Sequence, residues 1–422
     1  MLTALGAYSV LNAQFKISVN APADYAVQEA ILYTLNGSKD IVHSKATKKG
    51  NGFNFDVKDN YRGLLKLYFP QNNESVSFIS ENKDVKIQLL TTGNKVKEVL
   101  YLDPVNKLMD EVQEKQRQNE IVFPALVQIK DHYKSNSDFG IALQKEIDRL
   151  GDPVKIDPAA NPFISYYNTN YNKFLVKSAA QKEPTENEIA NYLANTNEML
   201  ESSSLLRPVL MSFLNTVPSG KIEASVDDLL QKVVVETPRG QLIMAELIEL
   251  FGAYEMTDLK TKYLTKAKNL KCTIYDRLAS TIKTNAAVEI GAVMPNYTFT
   301  SALNTGAKSI HEVKANRKVI VFWSSTCSHC EADLPKLLQK YNAMKASGVE
   351  VIGLSLDTEK EVYQQKAGAY PWINTTELRG WNSSFVDLYG LHATPTYFVL
   401  DSGNKIIAKP NMADDVLRFL NL

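Results

Sequence analysis

The pattern of apolar and polar positions changes character twice along the chain. Up to about Leu90, short runs of β-formers alternate with turn residues: "AILYTL" (30–35), "GFNFDV" (52–57), "LLKLYF" (64–69), "SVSFIS" (75–80) and "DVKIQLL" (84–90). In "NFDV" and "VKIQL" polar and apolar residues alternate, as in strands with one wet face. Gly50-Asn51-Gly52 is a hairpin signal. The pattern predicts an N-terminal antiparallel β-sandwich over residues 15–98, and its isolated His43 reads as a surface residue.

Over residues 99–285 the period becomes helical. Thr237-Pro238 places an N-cap before a proline at the first helical position, followed by the apolar "QLIMAELIELF". Pro184-Thr185 opens another helix, with Ile189, Tyr192, Leu193 and Leu200 spaced for one buried stripe. Ser225 with Asp228 has the form of a capping box. The Tyr-rich "SYYNTNYNKF" (165–174) reads as interhelical packing, and Cys272 as a small buried hydrophobe.

Residues 286–422 change again. "NYTFTS" and "SIHEV" are strand candidates, and "KVIVFW" (318–323) is a continuous apolar run suited to a strand buried on both faces. A helix through "LPKLLQKYNAMKA", the strand "VEVIGLSLD", the helix "EKEVYQQKA", a hairpin of "TYFVLD" and "KIIAK", and a closing helix "DDVLRFL" follow. This order predicts an α/β domain, a mixed sheet covered on both faces.

Composition narrows the picture. A chain of 422 residues exceeds one ordinary core. Lys+Arg and Asp+Glu both number 47, so there is no overall positive field to attract nucleic acid. The uncharged residues 1–14 end in Asn12-Ala13-Gln14 and read as a signal-peptide remnant, cleaved after Ala13. Export would place the chain in the periplasm or cell envelope, where disulfides persist.

Two of the three cysteines, Cys327 and Cys330, sit where the apolar run 318–323 gives way to helix-compatible sequence. A structural zinc site wants four ligands and no second pair exists, so no metal site is expected.

Four features around that pair carry a resemblance. They are Gly291, Pro295 and Tyr297 in a Gly-x-x-x-Pro-x-aromatic entry, and the Phe322-Trp323 strand end leading into Cys327-Ser328-His329-Cys330. Pro335 stands five residues after Cys330, and "YGLHATPTYFVLDSGNKI" surrounds Pro395. Together they resemble the thioredoxin fold of the TlpA/ResA class of envelope thiol-disulfide oxidoreductases, over about a third of the chain. The whole then reads as a multidomain exported protein: β-sandwich, helical middle region, thioredoxin-like C-terminal domain.

The resemblance implies a redox-active Cys327/Cys330 disulfide, a cis Pro395 after Thr394, and a substrate site at Trp323, Thr394 and Pro395. A cysteine in the first turn of a helix meets unsatisfied N–H groups and the positive dipole end, which favour the reactive thiolate. Cys327 is therefore read as nucleophile and Cys330 as resolving thiol. Asp333 stands where many class members carry Glu, and is read as the proton acceptor for Cys330. His329 is read as a donor to the Cys327 thiolate. Thr326 replaces the usual Trp, and Val321 takes the place of thioredoxin's buried acid.

The expected function is thiol-disulfide exchange with protein cysteines through a mixed disulfide, without a cofactor. Expected partners are substrate proteins and an upstream redox partner such as a membrane electron donor. The alternative is a partner-binding or copper-delivery protein on this scaffold, with His392 as candidate ligand. Peroxidase chemistry is disfavoured because Ile320, not Pro, stands seven residues before Cys327.

Overall fold

The computed structural model describes residues 14–176 and 183–422, so the expected signal-peptide segment, apart from Gln14, lies outside the described residues. The chain divides into two compact units, Met1–Val234 and Val235–Leu422.

In the first unit, eight strands run β1 (Phe15–Asn20), β2 (Glu29–Asn36), β3 (Lys39–Thr47), β4 (Gly52–Val57), β5 (Arg62–Phe69), β6 (Glu74–Glu81), β7 (Val85–Thr92) and β8 (Lys95–Tyr101). They form two four-stranded sheets, ordered β4-β1-β7-β8 and β3-β2-β5-β6. Ile17, Phe55 and Ile87 from one sheet share a core with Leu32, Leu67 and Phe78 from the other. The alternation read from "NFDV" and "VKIQL" appears as alternating burial along β4 and β7. Two expectations fail. The pairing is not antiparallel throughout, because β1 runs parallel to β7. Nor do the strands flanking Gly50-Asn51-Gly52 form a hairpin. The turn exists, with Gly50 at φ 57°, but it hands the chain from one sheet to the other.

The helices of this unit are α1 (Pro104–Arg117), α2 (Phe123–Lys130), α3 (Asp138–Gly151), α4 (Pro162–Phe174), α5 (Glu186–Asn195), α6 (Met199–Ser202), α7 (Leu206–Thr216) and α8 (Ile222–Lys232). A π-turn, Gln118–Val122, joins α1 to α2. Thr185 caps α5 in a full capping box with Glu188. The Ser225/Asp228 box is not used: α8 starts at Ile222, leaving Ser225 buried inside the helix. The Tyr-rich stretch is α4, whose Tyr166 and Phe174 rings pack against Tyr192 of α5.

The second unit opens with α9 (Pro238–Ala253), α10 (Thr257–Lys268) and α11 (Asp276–Ala287). Thr237 caps α9 through the Gly240 N–H, as its Thr-Pro start predicts. Arg277 of α11 lies buried between Glu246 and Glu249 of α9, at 3.1 and 2.8 Å. Cys272 is partly exposed and accepts from Gln241 Nε2, rather than being fully buried. There follow β9 (Ala302–Leu303), β10 (Arg317–Trp323), α12 (Ser328–Ala346), β11 (Val349–Ser355), α13 (Lys360–Ala367), β12 (Ile373–Thr376), α14 (Ser384–Tyr389), β13 (Thr396–Asp401), β14 (Ile406–Ala408) and α15 (Ala413–Leu420).

The sheet order is β14-β13-β10-β11-β12-β9, with β10, β11 and β12 parallel. Along β10, Val319, Val321 and Trp323 enter one core, while Ile320 and Phe322 enter the other. That double burial is why "KVIVFW" shows no polar alternation. "NYTFTS" contributes only an isolated bridge at Thr298, and Ile310–Glu312 is a 3₁₀ turn rather than a strand. Among the described residues no helix is long and apolar enough to cross a membrane.

The break in the chain lies at Val234/Val235, well ahead of the 285/286 boundary read from the pattern. One reason is visible at Gly390, which ends α14 at φ 60°. A Cβ there would lie 2.9 Å from Thr284 of α11. A fragment of residues 235–422 is expected to unfold at a higher urea midpoint than 286–422, which lacks α9 to α11. Equal midpoints would favour the 285/286 boundary.

Candidate functional site

The site forms where β10 ends. Trp323 stands level with Ser355 of the parallel strand β11. From there Ser324, Ser325 and Thr326 lead to Cys327, the N-cap of α12. Asp357, two residues beyond β11, holds this loop in place. Its buried carboxylate accepts from Ser325 N at 2.9 Å, Ser325 Oγ at 2.5 Å, Ser324 Oγ at 3.1 Å and Ser355 Oγ at 2.6 Å. A buried carboxylate needs such donors to offset its desolvation.

The Cys327 sulfur has two partners. It accepts from the Cys330 N–H at 3.2 Å, and its S–H donates to the Thr394 carbonyl at 3.3 Å. The Thr394–Pro395 peptide is cis. Cys327 is partly exposed and Cys330 buried, both as free thiols. Burial pushes the Cys330 thiol up to about 12, with the hydrogen bond to Cys327 and the charge of Cys327 acting in the same direction.

The other expected site residues scatter. Trp323, expected at the substrate site, is 1% exposed, in the core that also holds Cys330. Its ring meets Tyr370 edge-on at 5.5 Å, and Tyr370 stacks on Trp372 at 4.5 Å. A large aromatic ending a strand covered by helices is drawn inward by its burial energy.

Asp333 is buried, and its carboxylate is already committed. It accepts from Tyr397 OH and from Ala413 N, both at 2.8 Å, and pairs with Lys336 at 3.4 Å. The Ala413 bond anchors the start of α15. This arrangement opposes the expected proton-acceptor role, because the oxygens face donors other than Cys330. His329 is exposed, and the Cys327 sulfur instead accepts from the Cys330 N–H and donates to the Thr394 carbonyl.

Sequence reasoning missed Asp357, Tyr370 and Tyr397. Burial raises the Tyr397 hydroxyl's pKa, and the Asp333 and thiol charges add to it. One signal for Asp357 was present: an acidic residue closing the apolar run "VEVIGLSLD" at the carboxyl end of a central strand. Such ends gather sites in open α/β sheets. Among the described residues no three His, Cys, Asp or Glu side chains gather as a metal site.

Residues 290–409 match the AhpC/TSA family. The chain is 24% identical over 120 residues to the thiol-disulfide oxidoreductase ResA of Bacillus thuringiensis strain Al Hakam, covering 28% of this chain and 68% of that protein. It is 26% identical over 120 residues to ResA of Bacillus cereus strain ATCC 10987, with the same coverage of 28% and 68%.

Solved structures similar to part of the chain include the thioredoxin domain of a thiol-disulfide oxidoreductase from Bacteroides vulgatus. It is 26% identical, covers 32% of this chain and 96% of that one, and has a TM-score of 0.29. A thioredoxin-like protein from Bacteroides caccae is 17% identical, covers 59% and 97%, and has a TM-score of 0.34. Residues 290–409 are a thioredoxin-like domain of the AhpC/TSA family, related to the ResA thiol-disulfide oxidoreductases.

Proposed function

We propose that the C-terminal domain exchanges its dithiol with protein cysteines. The observation that carries this reading is the placement of Cys327. Its sulfur sits at the α12 N-cap under the Cys330 N–H and against the Thr394 carbonyl, and the residue is partly exposed.

The Cys327 thiolate attacks one sulfur of a substrate disulfide. A mixed disulfide forms and the other substrate sulfur leaves as a thiolate, which takes up a proton. Cys330 then loses its proton and attacks the Cys327 sulfur, closing the Cys327–Cys330 disulfide and releasing the second substrate thiol. The substrate gains two electrons and the domain loses two; the reverse sequence oxidises a substrate. The mixed disulfide removes both the Cys327 charge and its thiol, two of the causes that hold Cys330 protonated. Cys330 therefore becomes easier to deprotonate at the step where it must attack.

In this reading Thr394 and Pro395 present backbone to an extended substrate, and Asp333 anchors α15 rather than carrying a proton. The two N-terminal sheets form a sandwich serving, with the helices, to bring partners to the dithiol. The setting is the cell envelope, with an upstream redox partner restoring the dithiol.

Cys330→Ser should accumulate disulfide-linked partners through Cys327. Cys327→Ser should trap none and lose insulin-reductase activity. Equal trapping by both variants would overturn the assignment.

A further inference from the structure

The helical rod that begins with α1 continues past its core. Val105, Met109 and Val112 of α1 pack with Phe163 and Ile164, whereas neither the π-turn Gln118–Val122 nor α2 buries a residue. Yet this half is strongly apolar. Ile121 is 72% exposed, and Val122, Val127 and Ile129 are exposed with it. The chain returns through Tyr133 and Phe139, whose rings lie 4.6 Å apart, tilted by 57°, and are both exposed.

An isolated helix shorter than about 12–15 residues is marginal in water, and the eight residues of α2 receive no core burial. Seven large apolar residues between 121 and 141 are exposed: Ile121, Val122, Val127, Ile129, Tyr133, Phe139 and Ile141. Exposed apolar residues gathered in one segment, rather than scattered singly, mark an interaction surface.

In the stretch "EIVFPALVQIK" (120–130), three of the five pairs flanking Ala125 are matched, the exceptions being Pro124 with Leu126 and Val122 with Gln128. Moving outward, Phe123 matches Val127, Ile121 matches Ile129, and Glu120 matches Lys130. Ile121, Ala125 and Ile129 are four residues apart, the spacing of one helix face. We propose that this face is a two-fold interface between two copies of the chain, crossing antiparallel at Ala125. The small side chain lets the helices approach. Ile121 of each copy then packs on Ile129 of the other, and Glu120, whose Oε1 also accepts from Tyr171, faces Lys130 of the other.

Two-fold dimers require such self-complementary surfaces. Charge argues against an anionic membrane as occupant, since Glu120, Asp131 and Asp138 outnumber Lys130 and Lys134 over residues 118–141. The interface and the redox site belong to different units of the chain, and its test does not depend on that chemistry.

Sedimentation equilibrium of the full chain tests it. Wild type should weigh twice the chain mass, while Ile121→Glu and Ala125→Arg should weigh one chain with unchanged circular dichroism. Glu120→Lys should raise the dimer Kd at least tenfold, and adding Lys130→Glu should recover it. A monomeric wild type, a dimer indifferent to Ile121→Glu, or no recovery in the charge swap would overturn the proposal. So would a monomeric wild type that binds phosphatidylcholine vesicles through Ile121.

Discussion

Iodoacetamide at neutral pH is expected to carbamidomethylate Cys327 in the reduced native protein and to leave Cys330 unmodified. Only a thiolate alkylates at a useful rate. With the Cys330 pKa raised from 9.0 to about 12, its thiolate fraction falls roughly a thousandfold, tenfold for each unit. Its 1% exposure closes the direct approach as well. Peptide mapping separates the two sites from Cys272, which is partly exposed and labels on its own account. Equal labelling of Cys327 and Cys330 would show that the resolving thiol is neither buried nor held protonated.

The same shift fixes a pH dependence. Folding raises the Cys330 pKa, so the native state holds the proton more tightly than the unfolded chain. The resulting stabilisation is complete below about 9 and is lost as the pH rises toward about 12. Cys330→Ala should flatten that part of the alkaline stability curve relative to wild type.

How much of the fold and the site is legible in the sequence depends on the range of the forces involved. The CxxC, the FW strand end and the Thr394–Pro395 loop stand on short segments whose own residues declare them. Double burial of β10 is likewise written in an unbroken apolar run. β12 was missed because its sequence, "INTT", looks like a turn. Asn374 and Thr375 are nonetheless 0% exposed, in a strand between β11 and β9. A polar residue gives no sign of burial until its neighbours in the sheet are known.

The surroundings of Trp323 and Asp333 are hidden in the sequence for the opposite reason. The family pattern supplied positions, but which way each side chain turns is decided by contacts such as Tyr397 and Ala413, more than sixty residues away. The 285/286 boundary differs from the division at Val234/Val235 because pattern change marks where elements change type, not where contacts thin out. Three helices separate the two kinds of border here.

Asp357 tests that long-range argument most directly. Asp357→Ala removes the acceptor for the Ser325 N–H and for the hydroxyls of Ser324, Ser325 and Ser355. Ser325 and Ser355 are themselves buried, so their donors would be left without partners. A buried donor stripped of its partner costs about 1–3 kcal/mol, and several share this acceptor. A loss of about 2–4 kcal/mol in unfolding free energy is expected, at the upper end for single substitutions.

Asp357→Asn should cost less, about 1 kcal/mol. Its Oδ1 can still accept from Ser325, and its amide can donate to the Ser355 hydroxyl. Because the tether leads straight to the α12 N-cap, the two variants should also differ at the dithiol. In Asp357→Ala the loop no longer fixes Cys327 under the Cys330 N–H, and the thiol-disulfide exchange rate should fall at least tenfold. Asp357→Asn should stay within a few-fold of wild type. Urea unfolding with insulin-reduction rates on both proteins decides the matter. An Ala variant as stable and as fast as wild type would mean that the serine loop holds its shape without the carboxylate.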